Sequence, residues 1–111
     1  MILEDFMNIS LIKGSEILNQ RIDFFDTPIR RISILEYPIE NFVRPDEIVL
    51  STALVVRDDP TMFRQFITDI YNSKASALAL SFPKDVNPLD NEILEYINNL
   101  NMPVITLPWD A

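Results

Sequence analysis

The feature that most constrains this chain is the unbroken apolar run Ile48-Val49-Leu50, which leads from Glu47 into Ser51-Thr52-Ala53. A strand with one wet face alternates polar and apolar residues. A strand buried on both faces does not, so this run belongs inside a covered sheet. Small hydroxyl residues follow at once, then a turn, then a helical pattern. That order is how an open parallel sheet builds a ligand crevice at the carboxyl ends of its strands.

The chain beyond the run repeats the theme. Leu54-Val55-Val56 continues apolar until Arg57-Asp58-Asp59-Pro60 breaks it. Asp59 is placed to cap a helix with Pro60 in its first position. Phe63, Phe66, Ile67, Ile70 and Tyr71 then recur at helical spacing and form a full amphipathic stripe. Ser76 to Phe82 reads as a second buried strand. Its alanines are poor strand formers and need tertiary support. Asn87 is placed to cap a helix starting at Pro88, with Asp90 in the first turn and an apolar face of Leu89, Ile93, Ile97 and Leu100. Asn101-Met102-Pro103 ends it, and Val104 to Pro108 is the last strand. The predicted class is therefore α/β: a single small domain over residues 1–111, with a parallel β-α-β-α-β core over about residues 47–108.

The first part of the chain adds shorter pieces. Leu3 to Asn8 reads as a short helix with Leu3, Phe6 and Met7 on one side. Ser15 to Leu18 reads as a short strand, and Asn19 to Thr27 as a loop whose tip, Phe24 and Phe25, is partly buried. Ile29 to Glu36 alternates at Ile32, Ile34 and Glu36. It is read as a strand halted at Tyr37-Pro38 by the restriction on residues before proline. Pro38 to Val43 can form one helical turn with Ile39, Phe42 and Val43 inward.

Composition removes several functions. The chain has 111 residues and neither Cys nor His. A disulfide framework, a thiolate nucleophile, a Ser-His-Asp triad and an ordinary zinc site all fall away. The single glycine, Gly14, cannot build a glycine-rich phosphate loop. The net charge of −8 repels nucleic-acid phosphates, so any work on DNA needs another segment to touch it. No apolar run nears the roughly 20 residues that span a bilayer, and the acidic start Met1-Ile2-Leu3-Glu4-Asp5 lacks the positive region of a secretion signal. A cytoplasmic protein away from the membrane is expected. No cofactor, no metal site and no catalytic residue is expected; Asp58, Asp59 and Asp85 sit at turns and caps, where Asp belongs for local reasons.

The strand ends bring three segments to one edge: Ser51-Thr52-Ala53, Ser81-Phe82-Pro83-Lys84 and Leu107-Pro108-Trp109-Asp110. Together with Glu36, the candidate ligand-binding residues are Ser51, Thr52, Ser81, Lys84 and Trp109. They offer hydroxyls, one cation, one carboxylate and one indole, a set suited to a small polar ligand with a planar part. The plainer alternative is strand-end capping by the hydroxyls, with Trp109 covering a core edge. Glu36 as a lone carboxylate reads first as a hydrogen-bond acceptor for a loop backbone; a small enzyme using Glu36 with a hydroxyl of Ser51 or Thr52 is the remote alternative. Phe24, Phe25, Phe42 and Trp109 lie outside the strongest periodic segments, and any that prove exposed are read as a homodimer contact.

Read in order, these segments resemble the N-terminal domain of PucR-like (purine catabolism regulator) transcription factors. The residues that carry the resemblance are the helix Leu3 to Met7; Ile29 to Pro38, where the family shows an alternating strand ending in E-x-P; Glu47 to Ala53, like the family's gELvLTTG; Ala77 to Leu80; Ile93 to Asn101; and Met102 to Pro108, like lPvi-x-lP. Three positions depart from it: Ala53, Asn19 and Lys74-Ala75 stand where glycine is usual. The resemblance implies a non-enzymatic regulatory input domain, sensing a ligand, dimerising, or both, in control of purine or nitrogen-compound catabolism. The implied partners are a second copy, a small effector, and DNA only through a C-terminal helix-turn-helix region absent from these residues. A protein-interaction scaffold without a small ligand is the alternative. The outline is also similar to the small N-terminal α/β domain of Mur ligases and HPr kinases, at the level of fold only.

Overall fold

A computed structural model describes residues 1–9, 14–19, 21–37, 44–83 and 85–108. Among these residues three α-helices and five strands follow one another, with a 3₁₀ helix (Ile22–Asp26) between the first two strands: α1 (Leu3–Met7), β1 (Glu16–Ile17), β2 (Arg31–Ile34), β3 (Glu47–Ser51), α2 (Pro60–Asn72), β4 (Ala77–Ser81), α3 (Asn91–Asn98) and β5 (Val104–Leu107). The sheet order is β1-β5-β4-β3-β2. Strands β2 to β5 are parallel, and only the two-residue β1 runs antiparallel, against β5. The fold is thus α/β, and the parallel set has four members, since β2 joins the three strands of the β-α-β-α-β core.

Each step from β3 to β4 to β5 moves the same way across the sheet. Right-handed crossovers then place α2 and α3 on one face. Val49, Leu78, Leu80 and Val104 point to that face and pack with Phe63, Phe66, Ile67 and Ile70 of α2 and Ile93 and Ile97 of α3. The hydroxyls of Thr68 and Tyr96 share a hydrogen bond between the two helices, and the Arg64 guanidinium lies 5.6 Å from the centre of the Tyr96 ring. The intervening residues Ile48, Ala77, Ala79 and Ile105 turn to the other face, where they form a second cluster with Leu3 and Phe6 of α1 and Ile29. The unbroken apolar run at β3 is explained by this sandwich: helices lie on both sides of the strand.

Helix α2 starts where its cap is. The Asp59 carboxylate accepts from the main-chain N–H groups of Thr61 and Met62, and Pro60 occupies the first helical position. Helix α3 starts later than the sequence pattern implies. Asp90, not Asn87, is its cap, accepting from the Ile93 N–H at 2.9 Å. Asn87 instead accepts from the Leu89 N–H two residues on, which closes a local turn and leaves Pro88 and Leu89 outside the helix. The expected loop over Asn19 to Thr27 contains a short 3₁₀ helix, Ile22–Asp26, whose Phe24 is buried and whose Phe25 is half-buried, in line with the partly buried tip read from the sequence. The helical turn expected over residues 38–43, including Phe42, lies outside the described residues.

Asn19 is buried and ties the start of the chain to its end. Its side-chain amide donates to the carbonyls of Ile97, Leu100 and Met102, and its side-chain oxygen accepts from the Val104 N–H. One side chain thereby bonds the Ile97 carbonyl near the end of α3, the Leu100 and Met102 carbonyls of the segment after it, and the first amide of β5.

Candidate functional site

The parallel strands bring their carboxyl ends to one lip, and the end of β2 adds Ile34 and, two residues on, Glu36. Helix α1 covers the sheet face only in part. Ile48, Ala77 and Ile105 lie under it, while Leu50 and Leu107, nearer the strand ends, are only partly buried. The uncovered end of that face forms a cavity of about 210 Å³. Its lining comprises Ile34, Leu50, Ala79, Leu107 and Pro108, with Glu36, Ser51, Thr52 and Ser81 as its polar members. The floor is apolar because it is the same alternating face that packs under α1, carried past the helix.

The polar rim is organised by Glu36. Its Oε1 accepts from the Ser51 hydroxyl at 2.9 Å and from the Leu54 N–H at 3.4 Å. Its Oε2 accepts from both the N–H and the hydroxyl of Thr52, each at 2.9 Å. The Ser51 hydroxyl oxygen also accepts from the Ala53 N–H at 3.0 Å. Four donors on two carboxylate oxygens fill the acceptor sites of that group. The carboxylate therefore braces the turn after β3, and its contacts to the Ser51 and Thr52 hydroxyls are at the hydrogen-bond distance that the carboxylate–hydroxyl alternative also requires.

The same turn contains Ala53 at φ +51°, fully buried. A glycine would adopt this left-handed backbone without strain; alanine adopts it at a cost. Lys74, before β4, has φ +67°. Two of the three positions where glycine is usual are thus left-handed in backbone, and this chain occupies both with side-chain-bearing residues. The third, Asn19, has gained its buried amide network instead.

Of the six residues read as ligand-binding, Glu36, Ser51, Thr52 and Ser81 meet around one cavity. Lys84 and Trp109 lie outside the described residues. The Ser81 hydroxyl donates to the Pro108 carbonyl at 3.2 Å, with the Leu107 carbonyl at 3.5 Å. Its lone pairs face no donor among the described residues. Of the apolar lining residues, the sequence reading places Leu107 and Pro108 in the segments that meet at this edge, but not Ile34, Leu50 or Ala79. Strand alternation was the available signal, but it cannot tell a floor left open from a floor under a helix. Among the described residues no group of three acidic side chains is placed to hold a metal ion, and no helix is long and apolar enough to cross a membrane.

The family model described as PucR: Purine catabolism regulatory protein-like family matches residues 5–111. The chain belongs to this PucR family. No curated protein and no solved structure gives a significant match. The PucR match runs through α2, α3, the end of α1 and every strand that reaches the lip. The cavity is therefore built entirely from residues inside the PucR-like region, as is the Glu36 brace that shapes its rim.

Proposed function

We propose that this PucR-family chain is a non-enzymatic regulatory input domain that binds a small effector in the cavity at the strand ends, and that it works as a homodimer inside the cytoplasm. The observation that supports effector binding is the cavity itself, apolar in its floor and polar only along one side. Its volume of about 210 Å³ is below the roughly 300 Å³ at which drug-sized pockets begin, so it suits a single small heterocycle or a compact ureide.

The rim states which hydrogen bonds such a ligand must make. The hydroxyl protons of Ser51, Thr52 and Ser81 are already committed within the chain. What they retain are acceptor lone pairs, beside the Glu36 carboxylate. A ligand there donates N–H groups; an anion is repelled. Neutral, planar, N–H-rich compounds such as purine bases and ureides meet both conditions, in keeping with the family's link to purine catabolism. The saturation of Glu36 supports a binding role over a catalytic one.

Thermal-shift and calorimetric titration with purine bases, their oxidised derivatives and ureides tests this reading. A saturable rise in melting temperature with at least one of these compounds is expected. No response to any of them, together with unchanged oligomeric state, overturns effector sensing and leaves the interaction-scaffold alternative.

A further inference from the structure

The geometry points to the outer edge of β2 as the surface on which a second copy of this chain docks, by antiparallel pairing of β2 with β2 about a two-fold axis at Ser33. The inference rests on the homodimer reading above and specifies its surface and register.

The backbone supplies the first argument. Strand β2 lies at the end of the sheet. The N–H groups of Arg31 and Leu35 donate inward, to the carbonyls of Asp46 and Leu50 on the β3 side. In a parallel ladder the bonded residues alternate, so Arg31, Ser33 and Leu35 face β3 while the amides and carbonyls of Ile32 and Ile34 face outward. An extended backbone is the partner that such a row fits.

The side chains supply the second. Ile32 is 53% exposed and Ile34 is 77% exposed. Proteins usually blunt a sheet edge by keeping it short or charged. The opposite edge follows that rule, since β1 has two residues and its Glu16 is exposed. The β2 edge instead shows two exposed isoleucines beside main-chain groups that have no partner among the described residues.

The register supplies the third and selects a second copy as occupant. When Ile32 of one copy pairs with Ile34 of the other, both outward-facing residues are satisfied twice over, and four main-chain hydrogen bonds form about the axis. The same register sets Arg30, which lies 3.6 Å from Asp46 of its own chain, opposite Glu36 of the second copy, so that the facing charges attract although the Glu36 oxygens keep their bonds to Ser51 and Thr52. It separates the two Arg31 residues by four positions, about 14 Å, beyond the roughly 8 Å screening length at physiological salt. The paired isoleucines lie on the face that carries the cavity, because Ile34 lines it. The edge is thus self-complementary in hydrogen bonding, in apolar surface and in charge.

The absence of cysteine makes the test direct. Ser33 would face itself across the axis in a pair without mutual hydrogen bonds, where Cα atoms approach to about 4.5 Å. That falls in the range a disulfide spans. Under mild oxidation Ser33→Cys is expected to form a covalent dimer within the concentration range where the unmodified protein dimerises, while a control cysteine at exposed Glu95 is not. Ile32→Lys, checked for native circular dichroism, is expected to raise the dimer dissociation constant at least tenfold in sedimentation equilibrium. A dimer that tolerates Ile32→Lys and leaves Ser33→Cys uncrosslinked overturns this edge and keeps the homodimer reading. A protein that stays monomeric at its highest soluble concentration overturns both.

Discussion

Glu36 reaches fifteen and sixteen residues along the chain to hold the Ser51 hydroxyl and both polar hydrogens of Thr52, each at 2.9 Å. The end of β2 is thereby fastened to the turn after β3 by a charged acceptor. Hydrogen bonds to a charged group contribute about 1.5–3 kcal/mol each at most, and the half-exposed position here lowers that. Removing the acceptor leaves the Thr52 N–H and the buried Ser51 hydroxyl without a partner.

The expected cost of Glu36→Ala is accordingly about 2–4 kcal/mol. Glu36→Gln keeps one acceptor oxygen for Thr52 and turns an amide N–H₂ toward Ser51. Its cost is expected to be about half as large. Urea unfolding followed by circular dichroism reads both. If the two variants are as stable as the parent, the carboxylate is no brace and its place in the rim needs another explanation.

A second prediction concerns Lys74. Its φ of +67° places an L residue in the left-handed region at an exposed position. That conformation costs about 1 kcal/mol or more for a residue with a β-carbon, against the extra freedom a glycine has when unfolded. Lys74→Gly is therefore expected to stabilise by about 0.5–1 kcal/mol. Lys74→Ala keeps the β-carbon and is expected to leave stability unchanged. At Ala53 the same exchange removes a methyl from the fully buried cluster, so relief of strain and lost packing offset one another. Ala53→Gly is expected to fall within about 0.5 kcal/mol of the parent.

The family pattern flagged these glycine-replacing positions in the sequence, and their backbone angles show why glycine is favoured there. Helix α2 was equally legible, because Asp59-Pro60 and the apolar stripe from Phe63 agree with each other. Helix α3 was misplaced by three residues because Asn87 and Asp90 are both good caps, and only the bond to the Ile93 N–H decides between them. The cavity was legible mainly in its polar members. Hydroxyls at strand ends stand out in a sequence, whereas Leu50 and Leu107 resemble any core residue until the extent of α1 is known. Asn19 was beyond reach. Its partners lie 78 to 85 residues away, and nothing local distinguishes it from a turn residue.

Asn19 carries the third prediction. Its four hydrogen bonds serve main-chain groups of Ile97, Leu100, Met102 and Val104 in a buried setting. The Ile97 carbonyl keeps its bond from the Leu100 N–H, but truncation to alanine takes from the Leu100 and Met102 carbonyls and the Val104 N–H the partner they have among the described residues, at about 1–3 kcal/mol for each one left unsatisfied. Asn19→Ala is expected to destabilise by more than about 3 kcal/mol, and Asn19→Asp nearly as much, since a carboxylate has no hydrogen to donate to these carbonyls. Hydrogen exchange offers a sharper readout than melting alone. The Val104 amide, which heads β5, is expected to lose protection in Asn19→Ala before the amides of β3 do.

The fourth prediction separates an open floor from a filled one. Ala77 and Ala79 are both fully buried in β4, point to the same sheet face and differ only in how far they lie along it. Ala79 lines the cavity; Ala77 does not and lies where Leu3 and Phe6 close the layer. Two added methyl groups at Ala79 enter empty space, with burial worth up to about 1.5 kcal/mol before rotamer entropy is deducted. Ala79→Val is therefore expected to be neutral or stabilising. The same groups at Ala77 meet packed side chains, and overpacking of this kind costs about 1–3 kcal/mol. Comparing the two in denaturant melts tests whether the space is real without knowing any ligand. Where a purine or ureide raises the melting temperature of the parent, Ala79→Val is expected to abolish that rise, because the added methyls occupy the floor on which the ring would lie. Equal destabilisation by both substitutions would mean that the sheet face is closed along its whole length, and the effector would have to bind elsewhere.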